Sequence, residues 1–329
     1  TILSSKYEAA DVDEVARQQS HLSERQQQQL ADVLRKHTKL FSGKLGIFPK
    51  RKVHLELIPN AKPKSSRPYG VPRQHEAVFK EELKRLEEVG VLSRCGASEW
   101  LAGTFIIPKK DGRVRWISDF RELNKVIKRK VYNLPKIQDI LSKRNGYSHF
   151  SKLDISMMCY TFELDEESKN LCTICTPFGN YRYNRLPMGV KQSPDIAQEI
   201  IEDIFRDVDE VDCYIDDVGC FNNSWEEHLA SLSKVLTILE DHNFIVNPFK
   251  CEWGVQETDW LGYWLTPSGL KPWKKKIQAI LALQPPKTPT QLRSAFLGVV
   301  NFYRDMYPCR LHILAPLTAQ SGAKEKINW

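Results

Sequence analysis

Two periods of apolar recurrence run along this chain, and each change of period marks an element. Leu30, Val33 and Leu34 share one helical face behind Ser23 and Gln26, whose spacing is that of a capping box. Pro59 to Pro72, with four prolines, is expected to be extended or irregular. Phe79, Leu83 and Leu86 then predict an amphipathic helix that stops at Gly90. From Trp100 to Ile107 the pattern becomes that of a strand, with Lys109–Gly112 as a turn and Val114–Ile117 as the return strand. His149–Ile155 reads as another apolar strand. Ser193 as cap and Pro194 in the first turn open a helix carrying Ile196, Ile200 and Ile204. Val211 to Phe221 is β-branched and aromatic with Asp216 and Asp217 at its centre, a hairpin with acids at the tip. Ser224 with Glu227 starts a helix through Leu229, Leu232, Leu236 and Leu239. Thr288, Pro289 and Gln291 start another, with Leu292, Phe296, Val299 and Tyr303 expected on one face. Helices on both sides of an antiparallel hairpin make the fold class α+β rather than a doubly wound sheet.

At 329 residues the chain suits two or three subdomains. No stretch approaches the ~18 apolar residues of a membrane span, and no membrane association is expected. With Thr1 in place of Met, a processed or excised segment is expected. Of the eight cysteines only Cys172 and Cys175 are spaced as CxxC, with no second pair to complete a zinc site, and strand-like neighbours surround them. Reduced thiols in an intracellular setting are expected. The net charge of +7 hides an asymmetry: Lys44–Arg73 holds eight basic residues against one acidic, and Lys109–Lys152 thirteen against four. A basic half beside an acidic remainder fits a polyanion-binding groove next to carboxylates that hold cations.

Tyr214-Ile215-Asp216-Asp217 is the sharpest feature. An Asp-Asp pair by itself is ordinary turn chemistry. Two adjacent carboxylates repel each other, however, and divalent cations make the arrangement favourable. Asp154, about sixty residues earlier, ends a strand. If the two strands are neighbours, three acids meet at one pair of metal ions, which is what nucleotide addition requires.

Short strings extend this context in order along the chain: Ile107-Pro108-Lys109-Lys110-Asp111-Gly112, Asp119 to Asn124, Phe150 to Asp154, and Leu186 to Lys191. After the paired acids come Asn247-Pro248 with Lys250-Cys251, then Trp260 to Tyr263, and Gln291 to Ser294 through Asn301 to Arg304. In these strings the chain resembles the reverse transcriptases of gypsy-type LTR retrotransposons and, more distantly, retroviral ones. The resemblance implies a right-hand polymerase fold with fingers, palm and thumb. Residues 1–54 would be an amino-terminal extension, 55–130 and 162–192 the fingers, 131–161 and 193–268 the palm, and 269–329 the thumb with the start of the connection.

It further implies an RNA-directed DNA polymerase that also copies DNA. The cofactors would be two Mg²⁺ ions, with Mn²⁺ as a substitute, and the partners a primed RNA or DNA template and dNTPs. Asp154, Asp216 and Asp217, with the Ile155 backbone, match the metal ligands. Lys109 and Arg115 match residues that close on the triphosphate, Lys250 a proton donor to pyrophosphate, and Arg121 a template contact. Leu261 and Gly262 match the primer grip. Met188 and Gly189 lie in the nucleotide site by the same match, Met188 replacing the Gln of retroviral enzymes. Where the family carries an aromatic sugar gate, this chain has Cys159 followed by Tyr160. The competing reading is a domesticated, catalytically silent nucleic-acid binder. An RNA-dependent RNA polymerase is disfavoured because Ile215, not Gly, precedes the paired acids. In relatives the segment like Ala315-Pro316-Leu317-Thr318 leads into ribonuclease H, which is expected to be missing before Trp329. The cytoplasm, or virus-like particles within it, is the expected location.

Overall fold

The computed structural model describes residues 9–108, 114–143, 146–301, 304, 306 and 309–322. It divides into two compact units, Thr1–Pro135 with His149–Val255, and Lys136–Ser148 with Gln256–Trp329. The Lys109–Gly112 turn, Tyr303 and Trp329 lie outside the described residues.

The first unit holds two sheets. Strands β1 (Leu92–Cys95), β2 (Ala102–Pro108), β3 (Val114–Ser118), β5 (Thr173–Thr176) and β6 (Gly179–Tyr183) form one, in the order β1-β6-β5-β2-β3. Only β2 and β5 run parallel in it. The other contains β4 (His149–Asp154), β7 (Val211–Tyr214), β8 (Asp217–Asn222) and β9 (Glu252–Val255), all antiparallel, in the order β7-β8-β4-β9. Its inner face is covered by helix Trp225–Asp241, whose Leu232, Val235, Leu236 and Leu239 are fully buried. Ser224 caps that helix by accepting from the Glu227 amide, as the sequence predicts. Phe150 and Phe221 face each other across β4 and β8 with ring centroids 4.6 Å apart. Such a pair contributes ~1 kcal/mol beyond its burial.

The predicted capping box is formed: the Ser23 amide donates to Gln26 Oε1 at 3.0 Å, and helix Glu24–Arg35 buries Leu30, Val33 and Leu34. This amino-terminal region shares the main core, with the Trp225 indole N–H donating to Gln29 Oε1 at 2.9 Å. Helix Arg73–Glu88 buries Phe79, Leu83 and Leu86 and ends at Gly90, where φ is 73°. Ser193 differs from expectation. It lies inside helix Ser193–Ile204 with Gln192 at the cap, because its hydroxyl donates to the Pro187 carbonyl instead.

In the second unit β10 (Thr258–Trp260), β11 (Tyr263–Thr266) and β12 (Gly269–Lys271) make a meander, and helix Ile137–Ser142 lies beside β12. Thr288 caps as predicted, but the turns that follow it are π-helical over Leu292–Leu297. A π turn brings residues five apart onto one face. Leu292 and Leu297 are therefore buried with Leu314, while Val299, expected on that face, is 40% exposed. Among the described residues no helix is long and apolar enough to cross a membrane.

A buried polar network fastens helix Trp225–Asp241 to the four-stranded sheet. Ser151 Oγ accepts from the Gly254 amide at 2.9 Å, leaving its proton for His228 Nε2 at 2.7 Å. His228 Nδ1 then carries its proton toward Asn222 Oδ1 at 2.8 Å, and Asn222 donates to Ser231 Oγ. Burial, and then the neighbouring His149, push His228 from its ordinary 6.5 down to about 3. Below pH 6.5 the unfolded chain takes up a proton that the folded chain refuses. The stability contribution is complete above 6.5 and is lost as pH falls toward 3, at ~1.4 kcal/mol per pH unit. Urea titrations between pH 7.5 and 4 are expected to show a steeper loss for the wild type than for His228→Gln; equal slopes would contradict it.

Candidate active site

Strand register brings the acidic residues together. Tyr214 on β7 stands opposite Asp217 on β8, leaving Ile215 and Asp216 as a two-residue turn. Asp217 also stands opposite Asp154 on β4, and directly opposed residues place their side chains on the same face. The Ile155 amide donates to the Asp216 carbonyl at 3.0 Å, tying the turn to the end of β4. Ile215 has a φ of 55°. That is the position hairpin turns of this class give to Gly, and a β-branched residue there costs ~1–2 kcal/mol.

Gln198, in helix Ser193–Ile204, braces this strained turn and was not found from the sequence. Its Oε1 accepts from the Ile215 amide at 2.7 Å and its Nε2 donates to the Cys213 carbonyl at 3.0 Å. It is fully buried, as is Asp195 on the same helix. Two polar residues inside a helix already assigned its apolar stripe of Ile196, Ile200 and Ile204 were the available signal.

Lys250 reaches Asp154 from the turn that follows Asn247, with Nζ 3.6 Å from Oδ1. The Asn247 amide donates to the Asp154 carbonyl, and Asn247 accepts from the Lys250 amide through its own carbonyl. Asp216 stays exposed at the tip. Protein on its inner side nevertheless withdraws solvent, and this, followed by the Asp154 charge, raises its carboxyl above the ordinary range, with Lys250 opposing. Among the described residues no three Asp, Glu, His or Cys side chains are gathered tightly enough to hold a metal as they stand. The donor chemistry does fit: carboxylates gathered at a solvent-facing strand end, one of them raised by burial and by its neighbour's charge, supply the hard oxygen ligands of Mg²⁺ or Mn²⁺.

Cys159 and Tyr160 share the short helix Met158–Thr161 and point to different surroundings. Burial, and then the negative charge of Asp216, push the Cys159 thiol up to about 12. Tyr160 is 1% exposed and lies against Tyr183, whose hydroxyl accepts from the Trp116 indole at 3.1 Å. Met188 is half-buried against the core, and the Gly189 carbonyl accepts from Asn124 Nδ2 at 2.8 Å. A Cβ on Gly189 would stand 3.1 Å from the Ser118 carbonyl oxygen.

Arg121 grips Asp119 with two hydrogen bonds of 2.8 and 2.6 Å, yet its side chain is 81% exposed. Arg121 and the Tyr69 hydroxyl hold the Asp119 carboxyl well below the usual carboxylate range. These residues line a hollow of about 790 Å³ with Phe105, Asn124 and Gly189. Arg115 is exposed on β3 opposite Ile107, and Lys109 lies outside the described residues. In the second unit Leu261 and Gly262, with φ of 49° and 87°, form the two-residue turn between β10 and β11.

Residues 107–265 match the family described as reverse transcriptase (RNA-dependent DNA polymerase). This stretch is a reverse transcriptase domain. The retrovirus-related Pol polyprotein from transposon 297 of Drosophila melanogaster is 30% identical over 270 residues, 80% of this chain. The transposon Tf2-3 polyprotein of Schizosaccharomyces pombe is 29% identical over 265 residues. The chain spans only 25% and 20% of the lengths of these two polyproteins. The foamy viral protease-reverse transcriptase dRH in complex with double-stranded DNA superposes with a TM-score of 0.84 at 23% identity, covering 100% of this chain and 58% of that one. The foamy viral protease-reverse transcriptase with an RNA/DNA hybrid gives 0.82 at 22%, covering 100% and 44%. The reverse transcriptase domain therefore sits in the right-hand polymerase fold.

The thiols offer a direct check on this geometry. A thiol at its ordinary value of 9.0 is ~10% ionised at pH 8, whereas Cys159 at about 12 is ionised ~1,000-fold less. Iodoacetamide mapping at pH 8 is expected to modify the exposed Cys309 first and Cys159 only after unfolding. Early labelling of Cys159 would show that its pocket is misassigned.

Proposed function

We propose that this chain is an RNA-directed DNA polymerase of the gypsy type that also copies DNA, extending a primer with dNTPs by two-metal nucleotidyl transfer. The observation that carries the reading is the β7–β8–β4 register, which sets Asp154 beside Asp217 with Asp216 at the adjoining turn. Asp154, Asp216 and Asp217, with the Ile155 backbone, would hold the two Mg²⁺ ions. Bound there, such ions acidify the primer 3′-hydroxyl and neutralise the triphosphate and leaving pyrophosphate.

The remaining work falls to the chain itself. Lys109, and Arg115 on β3, grip the triphosphate. Lys250, already beside Asp154, supplies a proton to the departing pyrophosphate. Met188, Gly189 and Cys159 form the floor under the nucleotide, and Cys159 rather than the core-facing Tyr160 meets the sugar. Arg121 contacts the template from the hollow it lines, and Leu261–Gly262 presents backbone to the primer. Within this reading residues 55–130 and 162–192 would be the fingers, 131–161 and 193–268 the palm, and 269–329 the thumb. A setting within virus-like particles accords with the polyprotein relatives.

Primer extension on RNA and DNA templates, with and without Mg²⁺, tests the reading. Asp216→Asn is expected to lose more than the ~100-fold that follows removal of one electrostatic stabiliser, with primer-template affinity nearly unchanged. A variant keeping a tenth of the activity would contradict the assignment.

Arg115→Ala is expected to raise the dNTP KM or lower kcat without weakening duplex binding, whose affinity should fall steeply with added salt. Filter binding at several salt concentrations, beside steady-state kinetics, decides this; lost duplex affinity with normal nucleotide kinetics would move Arg115 out of the nucleotide site.

A further inference from the structure

Helix Ser193–Ile204 carries a polar stripe as well as an apolar one. Asp195, Gln198 and Glu202 stand three and four residues apart and so share a face. At one end Asp195 takes two hydrogen bonds from Arg129, at 2.8 and 3.0 Å, and one from the Tyr132 amide at 3.2 Å. At the other, Gln198 spans the Cys213 carbonyl and the Ile215 amide of the catalytic hairpin. Glu202 connects them. One of its oxygens accepts from Gln198 Nε2 at 2.7 Å, and the other accepts the Tyr132 hydroxyl.

An ionised carboxylate and a backbone carbonyl only accept, so Glu202 and the Cys213 carbonyl together set which end of the Gln198 amide carries the hydrogens. With Nε2 shared between Glu202 and Cys213, only Oε1 remains to receive the Ile215 amide. The Tyr132 hydroxyl keeps its proton for this purpose: the Glu202 hydrogen bond, then burial, push it up to about 12. The strained Ile215 is thus held through three side chains that begin at a surface segment.

We propose that Tyr132 and Glu202 are positioning residues, which set the Gln198 amide so that it holds the Ile215–Asp216 turn in its carboxylate-presenting form. The proposal rests on the polymerase reading for its kinetic consequence only.

Hydrogen exchange and kinetics test it together. Tyr132→Phe and Glu202→Gln should each speed exchange of the Ile215 amide by about 10-fold, the effect of one lost hydrogen bond, while β4 amides stay unchanged. In the same variants kcat should fall about 10-fold, with dNTP KM, primer-template affinity and Tm held to within about twofold or 2 °C. The double variant should be no worse than either single one, because both cut one chain. Glu199→Gln, on the same helix but paired with Arg51 at the surface, should change nothing. Unchanged Ile215 exchange overturns the proposal, as does faster exchange with normal kcat, or a kcat loss that tracks a fall in Tm. If the wild type extends no primer, the polymerase reading fails, and the exchange measurement alone decides the role of Tyr132 and Glu202.

Discussion

Everything at the site depends on the antiparallel register of three strands. Because side chains alternate faces with a period of two, a slip of one residue between β4 and β8 would send Asp154 and Asp217 to opposite faces. Nothing about the acids favours their being together, since adjacent carboxylates repel. The register is held from elsewhere: by Phe150 against Phe221, and by the Ser151–His228–Asn222 network that admits only one alignment of β4, β8 and the covering helix. Apolar packing supplies much of the stability of this sheet, while the buried polar atoms choose among alignments that packing alone would tolerate.

Charge is arranged with the same economy. The exposed Arg121 guanidinium is already compensated by Asp119, and Lys250 by Asp154. Arg121 is thus held by two hydrogen bonds and Lys250 by an ion pair at 3.6 Å, which limits the positions either long side chain takes. The basic stretches 44–73 and 109–152 concentrate positive charge in the amino-terminal half.

Much of this was legible in the sequence wherever a single period or a cap decided the outcome. The Ser23–Gln26 capping box, the Phe79–Leu83–Leu86 helix and the hairpin with Asp216 and Asp217 at its tip could be read directly. What could not be read required two elements at once. Gln198 acquires its role only when its helix meets the hairpin, His228 only when it meets β4 and β8, and Val299 leaves the core only because the helix before it widens by one residue per turn. Nor could the sequence separate Tyr160 from its neighbour Cys159, which differ only once Tyr160 packs against Tyr183.

The turn at Ile215 also bears on how this hairpin can change over time. Gln198 holds the backbone N–H at that position, while the Ile215 side chain packs, partly buried, against the main core. Side-chain chemistry there can drift while the brace survives, and residues that enter the left-handed region more easily than Ile are accommodated at less local cost. Proline alone is barred twice over, lacking the N–H that Gln198 grips and fixed at a φ of the opposite sign. At this position of the hairpin the constraint falls first on the backbone, which must keep both its N–H and a positive φ.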